Sequence, residues 1–165
     1  MCLITDRNNG VKVAETDIDV FKVFRRVEGR MSLLYTGPYQ EYYYYGNLNG
    51  LYTCDGFDSF TFDNQPDDDW AFENYWKGFV PMSKEWEEKK RKEFEKYLHI
   101  FVGYHSFKNL QDALKEVVDL KSDNTFVEQE YDVIHCIIPK GTKYYEGLFD
   151  NKECYCSEQI KLNYN

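Results

Sequence analysis

A chain of 165 residues with a formal charge of −9 is long enough to bury one sizeable core and too short for two full domains. The acidic balance disfavours direct binding to nucleic acid or to an anionic membrane surface. Apolar runs such as Val133–Ile138 fall far short of the roughly 20 residues that span a bilayer, the first residues lack the core of a signal peptide, and an odd number of cysteines, 5, fits reduced thiols better than a disulfide framework. A cytoplasmic protein is therefore expected.

Between residues 11 and 27, Ile18, Val20, Lys22 and Phe24 fall on one side of an extended chain and Phe21 and Val23 on the other, which predicts one long strand or two short ones. Met31–Tyr35 predicts a further strand, ended by Thr36-Gly37-Pro38. In the run Tyr42–Tyr45 alternate rings must face opposite ways, so Tyr43 and Tyr45 are candidate partner-binding residues. From Asp55 to Asn74 aspartates mix with aromatics without periodicity, which predicts a surface loop. Ser83 then caps a highly charged helix over Lys84–His99, with only Trp86, Phe94, Tyr97 and Leu98 as an apolar stripe.

His99–His105 reads as a strand. Asn109 caps a second helix in which Leu110, Ala113, Leu114, Val117 and Val118 recur at helical spacing. Tyr131–Ile138 is apolar on both faces, as a strand inside a covered sheet must be. Pro139 and Gly141 suit positions i+1 and i+3 of a type I turn, and Thr142–Tyr145 and Cys154–Leu162 complete the strands. These elements predict a single α+β domain over 1–165. A mostly antiparallel twisted sheet is packed by one amphipathic helix, with an outer charged helix, and 55–98 is an acidic loop plus charged-helix insertion. The expected core is Val20, Val23, Phe101, Leu110, Leu114, Val117, Val133, Ile134, Ile137 and Ile138.

Five stretches carry a resemblance: Met1-Cys2-Leu3-Ile4-Thr5, Pro38-Tyr39-Gln40, Gly103-Tyr104-His105-Ser106-Phe107, Ile137–Gly147 and Tyr155-Cys156-Ser157-Glu158-Gln159-Ile160. Together they resemble a group of small uncharacterised proteins associated with phages and prophages of gut bacteria. The resemblance skips 55–98. It implies a lineage and a shared fold, and it transfers no catalytic residue.

Several constellations could carry chemistry. Cys2 would become an N-terminal nucleophile if Met1 were removed, but Leu3 stands where such enzymes usually have glycine. His135, Cys136, Cys154 and Cys156 are soft-metal ligand types at poor spacing, and buried thiols acting as small hydrophobes account for them better, so no metal is expected. His105 and Ser106, where a strand passes toward a helix, and Lys140 in the Pro-Gly turn are candidate ligand-binding residues. Arg25 or Arg26, Ser106 and Glu158 follow the arginine, serine, glutamate order of ADP-ribosyltransferases, without that superfamily's Ser-Thr-Ser segment. The acidic, aromatic stretch 55–75 could mimic nucleic acid. Nucleotide-binding and hydrolase signatures such as G-x-x-x-x-G-K-[ST] and G-x-S-x-G do not occur. The expected function is a non-enzymatic accessory module of phage type, without cofactor, that binds a host protein or a small ligand. A cryptic ADP-ribosyltransferase-like enzyme is the second reading and an acidic nucleic-acid mimic the third.

Overall fold

The structure, a computed structural model, describes residues 3–27, 30–33, 43–44, 50–54, 57, 85, 88, 92, 96–100, 103–122 and 130–162. Its strands are β1 (Leu3–Asp6), β2 (Lys12–Val13), β3 (Ile18–Val27), β4 (Arg30–Leu33), β5 (Tyr43–Tyr44), β6 (Gly50–Thr53), β7 (Tyr97–Ile100), β8 (Tyr104–Phe107), β9 (Glu130–Ile138), β10 (Lys143–Phe149), β11 (Lys152–Ser157) and β12 (Gln159–Leu162), and one helix, α1 (Leu110–Ser122), stands between β8 and β9. The strands form one antiparallel sheet in the order β6-β12-β9-β3-β8-β11-β10-β1-β7, with β4, β5 and β2 attached beside it. The expected α+β class with a mostly antiparallel sheet is what the described residues form. Among them, no helix is long and apolar enough to cross a membrane.

The sheet is central because its middle strands are apolar on both faces. On one face Val20 and Phe24 of β3, Ile134, Cys136 and Ile138 of β9, Tyr104 of β8 and Ile160 and Leu162 of β12 form the first core cluster. On the other, Val23, Phe107, Tyr145, Cys154 and Cys156 form the second, over which α1 lays Ala113, Val117 and Leu120. The β3–β9 ladder is regular over nine pairs, from Ile18↔Ile138 to Arg26↔Glu130, so alternation decides which way each side chain points.

Four expectations are corrected. Leu110 and Leu114 are 46% and 49% exposed and do not belong to the core. The helix turns Ala113, Glu116, Val117 and Leu120 inward instead, because the methyl group of Ala113 allows close approach and Glu116 finds a cation beneath it. Ile137 is only half-buried, whereas Cys136 and Ile138 beside it are sealed. The stretch His99–His105 is two strands: β7 pairs with β1, and β8 pairs with β3 and β11. Between them Gly103 has φ +137, and a Cβ there would stand 2.5 Å from Cys156 Sγ. The Pro-Gly turn begins at Pro139, whose carbonyl accepts from Thr142 N, and φ of +86 at Gly141 makes Gly141 position i+2 of a type II turn.

Asn109 does cap α1: its Oδ1 accepts from Asp112 N at 2.8 Å. In the charged segment, Glu85, Glu88, Lys92 and Lys96 are helical and exposed. The rest of that segment, the acidic loop, Phe101 and Tyr45 lie outside the described residues. Gly147 in β10 packs directly on β1, where an added Cβ would collide with the Ile4 carbonyl oxygen. Gly147→Ala is therefore expected to lower stability by about 1–3 kcal/mol in chemical denaturation, the usual cost of overpacking against backbone.

Candidate functional site

β3, β8, β11 and β10 are neighbours in the sheet, and on the face of the first core cluster they carry a row of polar side chains. Ser106 is paired with Tyr155, and Tyr155 with Glu146. The pair Phe21↔Phe107, followed one step along both strands, sets Lys22 beside Ser106. Four strands at about 4.8 Å spacing give the row Lys22–Ser106–Tyr155–Glu146 a length of about 14 Å.

The inner end is sealed. Lys22 is wholly buried and its Nζ donates to the His105 carbonyl at 2.7 Å. Burial pulls its pKa down to about 8. Burial also pushes the Cys136 and Cys154 thiols up to about 12, so both are neutral. Ser106 is 1% exposed, and its Oγ has no hydrogen-bond partner among the described residues. On the opposite face His105 Nε2 lies 3.0 Å from the Ile100 carbonyl. A carbonyl only accepts, so Nε2 carries the proton and Nδ1 is left to accept from Cys156 Sγ at 3.9 Å.

The outer end is open. Glu146 accepts from Lys12 Nζ at 2.6 Å and is also paired with Lys108. The hydrogen bonds from Lys108 and then Lys12 hold the Glu146 carboxyl below its ordinary pKa, and the same contacts raise both lysines. Lys108 Nζ also stands 5.4 Å from the centre of the Tyr155 ring, which meets Tyr144 edge-on at 5.4 Å.

Among the residues singled out from sequence, His105 and Ser106 are interior strand residues on opposite faces of β8, not a solvent-facing corner. Lys140 is exposed at the turn, held by its backbone N–H to Asp17 Oδ1 at 2.8 Å. Tyr43 lies in β5, paired with Ser32 of β4. Arg25, Ser106 and Glu158 are not brought together. Arg25 follows Phe21 and Val23 on the face opposite Ser106, Arg26 is four residues from Lys22, roughly 13 Å along β3, and Glu158 sits at the bend between β11 and β12. Cys54, Cys136, Cys154 and Cys156 are buried thiols, and no group of three metal-ligating side chains gathers among the described residues.

Lys22, Tyr155, Glu146 and Lys108 were not candidates from sequence. The inward alternation of Val20, Lys22 and Phe24 already places a lysine on an apolar face, and that signal could have marked Lys22. The ion pairs of Glu146 join residues far apart in the chain, and nothing local announces them.

A second surface feature is the flank of α1. Leu110, Leu114 and Val118 succeed one another at four-residue spacing, so they form one ridge, and they are 46%, 49% and 65% exposed. The helix is held to the sheet from below by Glu116, whose carboxylate accepts from Lys152 Nζ of β11 at 3.0 Å. Comparison with protein-family models, with curated proteins and with solved structures finds no match for this chain.

Proposed function

We propose that this chain is a binding module without catalytic activity, of the phage and prophage lineage its sequence resembles, and that it engages a host protein through α1. The ridge Leu110–Leu114–Val118 carries the proposal: three large apolar side chains in a row stay in water on a helix whose inner side is anchored by an ion pair. The formal charge of −9 favours a partner with a basic rim around its apolar contact. An arginine, serine, glutamate active site receives no support from the placement of Arg25 and Ser106 on opposite faces.

The test is a paired capture from host lysate with the wild-type chain, the Leu114→Glu/Val118→Glu variant and a Val13→Glu control, Val13 being 57% exposed and away from α1. A host protein held by the wild type and the control, and weakened at least about tenfold by the ridge variant, is expected; truncations at a contact centre cost more than about 1 kcal/mol. The ridge variant should stay folded and lose no more than about 1 kcal/mol, since Leu114 and Val118 are 49% and 65% exposed and neither belongs to the core. Equal capture by all three chains, or a ridge-dependent dimer of the chain in light scattering, would count against a host partner at α1.

A further inference from the structure

We draw no further inference here: the strongest candidate, the outward surface patch that Leu51, Lys161, Ile137 and Asp19 form in register across β6, β12, β9 and β3, is an unpartnered sheet face, and nothing in the structure shows what covers it.

Discussion

Replacing Lys152 by methionine is expected to destabilise the protein by about 3–5 kcal/mol, or about 6–20 °C in Tm for a chain of this size. Lys152 lies under α1 with 7% of its side chain exposed, and its Nζ donates to Glu116 at 3.0 Å, to Asp119 at 2.7 Å and to Asp150 at 3.3 Å. Burial pulls the ammonium pKa down, but the hydrogen bonds to Asp119 and Glu116 outweigh it and the pKa is raised, so the group stays charged. Asp119 and Asp150 are more than half exposed and can turn to water when the cation is gone. Glu116, with 6% of its side chain exposed, cannot, and its carboxylate would be left in the interior without a counter-charge. The double variant Lys152→Met/Glu116→Leu should therefore recover most of the loss, since a buried ion pair is often replaced by apolar groups at little cost. Denaturant unfolding of the wild type, both single variants and the double variant measures this. A double variant as unstable as Lys152→Met would show that the unpaired carboxylate is not the cause.

The second large effect is a dependence on pH that Lys22 alone should carry. The unfolded chain keeps the Lys22 proton up to the ordinary value of 10.5, and the folded chain releases it above about 8. Between those values the unfolded state holds more protons, so stability rises with pH through that window and is lowest, with respect to this group, below pH 8. A shift of that size corresponds to about 3 kcal/mol. Lys22→Met should remove this rise, so the variant's advantage in unfolding free energy should fall by about 3 kcal/mol as pH increases from 8 to 10.5 and end in favour of the wild type. At pH 7 the variant should be more stable by about 1–2 kcal/mol, because losing the hydrogen bond to the His105 carbonyl offsets part of the gain. Parallel pH profiles for the two chains would contradict the assignment of a desolvated ammonium at this position.

Both effects rest on charges inside a core that the sequence shows only in outline. Period-two alternation marks β3 and β9, and their apolar character on two faces already requires a covered sheet; Asn109 and the apolar spacing that follows mark α1. Alternation even places Lys22 on the same side as Val20 and Phe24, but it does not say that this side is closed by β12 and β8. The helix shows why spacing alone stops short. Leu110, Leu114 and Val118 on one flank and Ala113, Val117 and Leu120 on the next make a broad apolar arc, and which part faces inward depends on Lys152, some 36 residues from Glu116. The break between β7 and β8 was hidden because Gly103 sits within a run that otherwise reads as one strand. The hairpin joining β10 to β11 was missed as well, although Asp150 and Asn151, with φ of 47 and 61, suit a tight turn of two left-handed residues. The row Ser106–Tyr155–Glu146 belongs to the same class, since it exists only once three strands are in register.

The proposal that α1 is the face presented to a host protein is tested most directly by amide hydrogen exchange on the chain alone and in complex with the protein it captures. Residues 110–122 should gain protection in the complex, most strongly around Leu114 and Val118, while β2 and β6, which contribute nothing to the core cluster beneath α1, should exchange as before. Protection confined to residues outside α1, with exchange over 110–122 unchanged, would contradict it.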